Sequence, residues 1–386
     1  MFTFNRRAAL ARSAMALAGA GLLALGAVAP VQAQETIKFA AAGPMTGPSG
    51  ETGQRMRAGI ELAVEEINAA GGINGKTLVI DIYDDEGRPE GAASVAQRIV
   101  SDSDVVAVIG HINSSASMAA LPIYKRAGLT QVSGNSSAHR LTHMGFDNIF
   151  RVIINDQGQA PVLTDHVITN EGRKKLAIIY ENSDYGRGAM ESAMAKAKEL
   201  GAEVVAAETY QPGVDRDFAA QLTRIMAAAP DALILAGQYG EGGPIFNQAY
   251  RLGLTTDGSV LKAGFDGLRQ GPFIDLAGAD AVEGLLIFAS FNSLSDAPKT
   301  AEFREKTMRL FGHPPTEQEA HNYDVVYLYK AAIEAGATKE TMSAVLRDIS
   351  MEGVSGHLQF DENGDVQGKS MVIFTVDDGK FVAYNK

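Results

Sequence analysis

Val105-Val106-Ala107-Val108-Ile109-Gly110-His111-Ile112-Asn113-Ser114-Ser115 is the stretch whose reading decides how this chain folds. Residues 105–109 are apolar without interruption, the pattern of a strand buried on both faces of a parallel sheet. Gly110 breaks the run, small polar residues follow, and residues 116–126 have helical spacing. Strand, polar loop and helix make one βα unit. In open α/β sheets ligands bind beyond the carboxyl ends of the strands, so the loop at 110–115 is also the first place to look for a site.

The same unit recurs on both sides of that stretch. Upstream, a short β-like run at 36–41 leads through a Gly/Pro/Ser/Thr loop at 43–53 into residues 54–70, where Met56, Ile60, Val64 and Ile67 recur at helical spacing. Gly71-Gly72 and Asn74-Gly75 stop that helix, and a β-branched strand follows at 77–83. The spacing predicts a helix over Pro89–Val100 and, downstream of the opening stretch, a strand at 129–133. A second series starts after 150–154, with helices at 159–170, 188–200, 218–228 and 244–252 alternating with strands at 176–180, 204–209, Ala232–Ala236, 260–263 and 284–289. Helices are expected at Pro298–Phe311, 322–335 and 339–349. The tail alternates instead: runs at 357–360, 370–376 and 381–384, separated by Asn363-Gly364 and Asp378-Gly379, read as antiparallel hairpins. The expected fold class is therefore α/β, with two lobes each built on a doubly wound parallel sheet.

Composition narrows the function. The 386 residues contain no Cys and no Trp, and 34 Lys+Arg against 46 Asp+Glu leave a net charge of −12. Disulfides, thiolate metal sites, cysteine nucleophiles and lipid-modified cysteines are excluded, and an acidic chain is a poor partner for nucleic acid. Arg6, Arg7 and Arg12 precede an apolar run at 14–29 and the small-residue site Val31-Gln32-Ala33, which reads as an export signal cleaved after Ala33.

Catalytic motifs are missing where they would be expected. The Gly-rich turn Gly237-Gln238-Tyr239-Gly240-Glu241-Gly242-Gly243 has neither dinucleotide-binding nor P-loop spacing. There is no Gly-x-Ser-x-Gly elbow. His139 and His143 could share a helical face, but no third metal ligand is evident in the sequence. Asp361-x-Asn363-x-Asp365 begins like a calcium loop, yet Val366 and Val372 occupy the positions of its glycine and terminal glutamate, so it reads as a polar turn.

What remains is a set of polar residues at strand ends. Ser114 follows one strand, and Asn135, Ser136 and Ser137 follow the next: small donors suited to a carboxylate, aided by a helix dipole, although helix capping and a plain surface turn explain them equally. In the second series Tyr185, Tyr239 and Asp266 follow strands. Donors in one lobe and a carboxylate with two tyrosines in the other could bracket an amino acid, its ammonium meeting Asp266.

These residues, with Gly43-Pro44-Met45-Thr46-Gly47-Pro48, Tyr83-Asp84-Asp85, Val108-Ile109-Gly110-His111, Asp184-Tyr185-Gly186, Glu283-Gly284 and Asn322-Tyr323-Asp324, give the chain a resemblance to the Leu/Ile/Val-binding proteins of bacterial ABC transporters. The resemblance implies a type I periplasmic binding protein whose two lobes are joined by three crossovers, near 150–154, 287–290 and 353–356. Residues 1–33 are then the signal peptide, 34–152 with 289–354 the N-terminal lobe, and 153–288 with 355–386 the C-terminal lobe. It further implies a periplasmic monomer without metal, cofactor or catalysis, which closes on a branched-chain or related amino acid and delivers it to a membrane permease complex. Relatives that bind amides, ureas or aromatic acids define the alternative within the transport class; a ligand sensor or an exported enzyme on the same scaffold is the alternative outside it. By resemblance, Ser114, Asn135 and Ser137 match carboxylate-binding positions, and Tyr185, Tyr239 and Asp266 match the second lobe's. Asp266 stands where leucine-binding members commonly have glutamate, Thr52 where some place an aromatic wall, and Asn135 where a small apolar residue is frequent.

Overall fold

The computed structural model of the protein describes residues 35–384. The signal peptide read from the sequence lies outside them. Apolar runs at each strand alternate their side chains between two cores, and this places helices on both faces of each sheet. In β1 (Thr36–Gly43), Phe39 and Ala41 enter one core while Ala40 and Ala42 enter the other. The chain continues through α1 (Gly50–Ala69), β2 (Thr77–Asp84), α2 (Pro89–Val100), β3 (Val105–Gly110), α3 (Ser114–Arg126), β4 (Gln131–Ser133) and β5 (Ile149–Arg151). Pro89 opens α2 at the position where its missing N–H costs nothing. All pairings in this first sheet are parallel, in the order β2-β1-β3-β4-β5.

The chain then crosses to a second lobe: α4 (Asp156–Asp165), β6 (Lys175–Glu181), α5 (Asp184–Glu199), β7 (Glu203–Tyr210), α6 (Ala219–Ala227), β8 (Ala232–Ala236), α7 (Tyr239–Arg251), β9 (Leu261–Gly264), α8 (Phe273–Ala277), α9 (Ala279–Val282) and β10 (Leu286–Ala289). Alternation repeats here. Leu233 and Leu235 of β8 face one core, Ala232, Ile234 and Ala236 the other. A second crossing leads to α10 (Pro298–Phe311), α11 (Glu317–Glu334), α12 (Met342–Asp348) and the hairpin β11 (Ser350–Gly353) with β12 (Gly356–Gln359), all associated with the first lobe. A third crossing brings in β13 (Val372–Asp377) and β14 (Lys380–Ala383), which extend the second sheet antiparallel to β10, giving the order β14-β13-β10-β9-β8-β6-β7.

The strand order reverses between β1 and β3 in one sheet and between β6 and β8 in the other. Those are the crevices where such sheets bind ligands. Gly110 makes the first one possible: its φ is +116°, and a Cβ there would lie 2.1 Å from the carbonyl oxygen of Ala42. Among the described residues no helix is long and apolar enough to cross a membrane.

The third crossover does not fall at 353–356, and the lobe boundary at 354/355 read from the sequence is corrected. Val354, Leu358, Phe360 and Val366 all enter the core of the first lobe, and the Arg151 N–H donates to the Gly364 carbonyl at 3.0 Å. The Asp324 carboxylate also accepts from the Val354 and Ser355 N–H groups at 2.8 and 2.9 Å. The chain therefore leaves the first lobe only after Val366. The resemblance had placed the crossover at 353–356, inside the β11–β12 hairpin, whose two strands pair with each other and stay on the first lobe's core. Leu358, fully buried, should accordingly be part of the first lobe's stability: Leu358→Ala is expected to cost about 2–5 kcal/mol in urea unfolding. An unchanged midpoint would remove the hairpin from that core.

Candidate functional site

A cleft of about 670 Å³ lies at the two reversal points and is lined from both lobes. That volume is within the range of small-molecule sites. On the first lobe, the loop after β1 contributes Gly47, Pro48 and Ser49, and the loop after β3 contributes Ile112, Asn113, Ser114 and Ser115. On the second, the turn after β6 contributes Glu181 to Tyr185, the turn after β8 contributes Gln238, and the turn after β9 contributes Asp266 and Gly267.

The first lobe offers donors. His111 fixes their loop from below: wholly buried, it bonds Asp85 at 2.5 Å through Nδ1 and the Tyr124 hydroxyl at 3.0 Å through Nε2. With the imidazole held inside, residues 112–115 turn toward the cleft and α3 begins at Ser114, aiming its first-turn N–H groups and its dipole there. The Ser114 hydroxyl accepts from the Ala138 N–H at 3.1 Å, which leaves its own proton to donate. Asn135 borders the same end; its Oδ1 accepts from Asn322 at 2.8 Å, and its buried Nδ2 has no protein partner.

The second lobe offers an unmatched carboxylate. Asp266 is 6% exposed, and its Oδ1 accepts from the Tyr185 hydroxyl at 3.1 Å. Burial, followed by repulsion from the Glu317 and Asp156 carboxylates, raises its pKa well above the ordinary range, against the opposing bonds from Tyr185 and the Gly267 backbone. A cation beside it would reverse that penalty. Glu181, at the end of β6, accepts from Ser183 at 2.5 Å and from the Gln238 N–H at 3.2 Å, and burial pushes it up to about 7. The arrangement suits a zwitterion, with its anionic end at the start of α3 and its cationic end at Asp266.

The lobes also touch directly. The Ser115 hydroxyl donates to Asp184 Oδ2 at 2.7 Å and accepts from the Asp184 N–H at 3.1 Å, so the first turns of α3 and α5 are bonded across the mouth of the cleft. Gln270 donates to Gln318 across the interior at 2.7 Å. The structure is that of the closed molecule.

Of the residues named from the sequence, Ser114, Asn135, Tyr185 and Asp266 come together at the cleft. Four do not line it. Ser136 is turned inward, where its hydroxyl bonds Ser117 at 2.7 Å and the Ile112 carbonyl at 2.9 Å. Ser137 is buried with its hydroxyl beside the Asp156 carboxyl. Thr52 is wound into α1, which starts at Gly50 rather than at 54, and its hydroxyl donates to the Ser49 carbonyl. Tyr239 is the first residue of α7 and reaches the backbone of Glu51 on the opposite lobe; Gln238, one residue earlier, takes the place in the cleft wall. The first polar residue beyond β8 was the available signal for Gln238. Gln318 also lines the cleft, and no pattern announced it, because α11 begins five residues before the expected 322.

The fold does supply a third potential metal ligand that the sequence reading missed. His139, His143 and Asp365 bring ligand atoms within 4.8 Å of one another. Asp365 is already committed, however: it pairs with Arg151, accepts from Thr142 at 3.1 Å and accepts from Asn155 at 2.9 Å.

Comparison with known proteins decides what kind of molecule this is. The family described as periplasmic binding protein matches residues 36–380. The chain belongs to that family. This periplasmic binding protein is 31% identical over 364 residues to the leucine-, isoleucine-, valine-, threonine-, and alanine-binding protein of Pseudomonas aeruginosa, covering 94% of each chain. It is 31% identical to Leu/Ile/Val-binding protein homolog 3 of Brucella melitensis, covering 88% of this chain and 91% of the other. Among solved structures it is similar to the branched-chain amino acid transporter substrate binding protein LivJ from Streptococcus pneumoniae in complex with isoleucine, at a TM-score of 0.84 and 29% identity over 90% of this chain and 99% of that one. A benzoate complex from R. palustris, at 19% identity and a TM-score of 0.82, shares the fold. The family and these relatives are substrate-binding components of transporters rather than enzymes.

The buried acids make the closed binding protein pH-sensitive. Glu181 and Asp156, both pushed up to about 7 by burial, keep their protons in the folded chain where the unfolded chain, with values near 4.5 and 3.8, has released them. Stability from these groups is thus fully present below the unfolded values and falls as the pH rises toward about 7. Glu181→Gln cannot release a proton there and should gain on the wild type in urea melts as the pH rises from about 5 to about 7. A stability difference independent of pH would contradict this account.

Proposed function

We propose that this binding protein captures a branched-chain or related α-amino acid between its lobes and, once closed, presents it to the membrane permease of an ABC importer. The observation that carries the reading is Asp266: a buried carboxylate in the cleft wall, bonded by Tyr185 and, among the described residues, in no salt bridge. The ligand's ammonium supplies that cation by a charge-assisted hydrogen bond. Its carboxylate meets the Ser114 hydroxyl and the first-turn amides of α3, where the helix dipole favours an anion. The relatives support the amino acid class, since the Streptococcus pneumoniae protein was solved with isoleucine and a Desulfitobacterium hafniense protein with leucine.

In this reading the chain is exported by residues 1–33, works as a monomer in the periplasm, and has no chemistry of its own. The ligand meets one open lobe, and hinge closure adds the contacts of the other. The cleft interior then excludes water, which strengthens each polar contact and penalises any that is unmatched.

Thermal shift on unfolded-and-refolded, ligand-free protein tests the assignment with aliphatic and polar amino acids, short amides, urea and aromatic acids. An α-amino acid at about 100 times its Kd should stabilise the fold by about 2.7 kcal/mol. Asp266→Ala should lower that affinity by at least about 2 kcal/mol, as expected when one partner of a buried charge pair is removed. If only compounds without an α-ammonium raise the melting temperature, the amino acid assignment and the role of Asp266 both fall.

A further inference from the structure

Asp266 is tied to the hinge by a residue that does not itself line the cleft. Residues 266–268 form a single turn, and the Arg269 N–H closes it by donating to the Asp266 carbonyl at 3.0 Å. The Arg269 side chain, 7% exposed, then runs to the second crossing. Its Nη2 donates to the Phe291 carbonyl and its Nη1 to the Ser293 hydroxyl, both long bonds of 3.4 Å. Its guanidinium carbon lies 4.4 Å from the centre of the Phe374 ring in β13, a residue directly opposite Ile287 of β10. One side chain thus joins the Asp266 turn to the second crossing and to the strand that the third crossing delivers.

The first lobe grips the same segment from the other side. Glu317, the first residue of α11, accepts from the main-chain N–H groups of Ser290 and Phe291, the latter at 3.0 Å. The Phe291 residue is therefore held by its N–H from an acid of one lobe and by its carbonyl from a guanidinium of the other. Wherever the hinge places that segment, the Asp266 turn is drawn with it.

Charge adds a second link. Glu317, Glu319 and Asp266 face Arg269 as anions, Arg55 as a cation and His321 as a ring that burial keeps neutral. Around Asp266 stand Glu317, Asp156 and the Tyr185 hydroxyl, and Lys369 faces Glu317. The Arg269 side chain gives its hydrogen bonds to the crossing, so it acts on the Asp266 carboxyl by charge alone. An ammonium is held by an ionised Asp266, and burial opposes that ionisation. A fixed cation in the same interior lowers the cost.

We propose that Arg269, on the amino acid reading above, is a positioning residue for ligand capture: its fork ties the Asp266 turn to the second crossing, and its charge favours an ionised Asp266 opposite the ligand's ammonium. The two contributions are separable, because lysine keeps the charge without the fork and glutamine keeps donors without the charge.

Isothermal titration of the refolded, ligand-free protein with leucine, at about pH 5.5 and about pH 8.5, tests the proposal. Arg269→Gln should weaken leucine binding at least about ten-fold at the lower pH. Its loss relative to the wild type should shrink at least about three-fold at the higher pH, where Asp266 ionises without help. Arg269→Lys should lose at least about three-fold, equally at both. An Arg269→Gln loss that is the same at both pH values overturns the proposal, by making Arg269 a residue of the fold alone. Wild-type affinity in Arg269→Lys overturns it too, as does an Arg269→Lys loss that grows toward low pH, a result that decides the matter even where Arg269→Gln does not fold. In each of these cases leucine binding by the wild type leaves the amino acid reading standing. A wild type that binds no leucine at either pH removes that reading and the inference with it.

Discussion

Arg151 is the interaction on which the rest of the structure depends. It is the last residue of β5, wholly buried, and it pairs with Asp365 on the segment that leads into the third crossover. Its remaining N–H groups reach the Ala138 carbonyl at 2.7 Å, the Thr142 hydroxyl at 2.6 Å, and the carbonyls of Ser136 and His139 at 3.2 Å each. One guanidinium thus holds the first crossover, the approach to the third and the polar loop that follows β4. Although burial opposes it, the same guanidinium keeps the Asp365 carboxyl below the ordinary carboxylate range. A buried pair is a weak source of net stability, and its usual return is a unique arrangement. Here the arrangement fixed is the base of the hinge and the placement of Asn135.

From that base the two lobes bring opposite chemistry to one cleft. The first presents hydroxyls, amides and a helix N-terminus; the second presents Asp266 and Glu181. Neither half is satisfied alone. The closed molecule brings them together through Ser115 and Asp184 at the mouth and Gln270 and Gln318 inside. Binding and closing are therefore one event in energetic terms, because the contacts that complete the ligand's coordination are those made by the movement.

Much of this was legible in the sequence, for identifiable reasons. Continuous apolar runs mark strands buried on both faces, and Pro89–Val100, Ala232–Ala236 and Pro298–Phe311 lie where their patterns place them. The strand-end rule found Ser114, Asn135, Tyr185 and Asp266, since a residue just beyond a buried strand can scarcely avoid the crevice. It failed where neighbouring residues of one loop diverge. Asn135 lines the cleft while Ser136 and Ser137 turn inward, and Gln238 takes the wall while Tyr239 turns to the other lobe. Such choices are made by tertiary contacts with Ile112, Asp156 and Glu51, which no local pattern encodes. Gln318 was hidden for another reason: the first two turns of α11 are buried on all sides and mostly polar, so they show no amphipathic period.

The unmatched burial of Asp266 reaches beyond affinity. Closing on water strips solvent from that carboxylate and returns nothing, whereas closing on a cationic head replaces what was lost. With Asp266 as the proposed ammonium partner, empty closed molecules would be scarce relative to loaded ones. A transporter that responds to the closed shape would then encounter few blanks, and little of its ATP would be spent on idle cycles. On the role proposed for it, Asp266 is in this sense also a proofreader of the delivery signal.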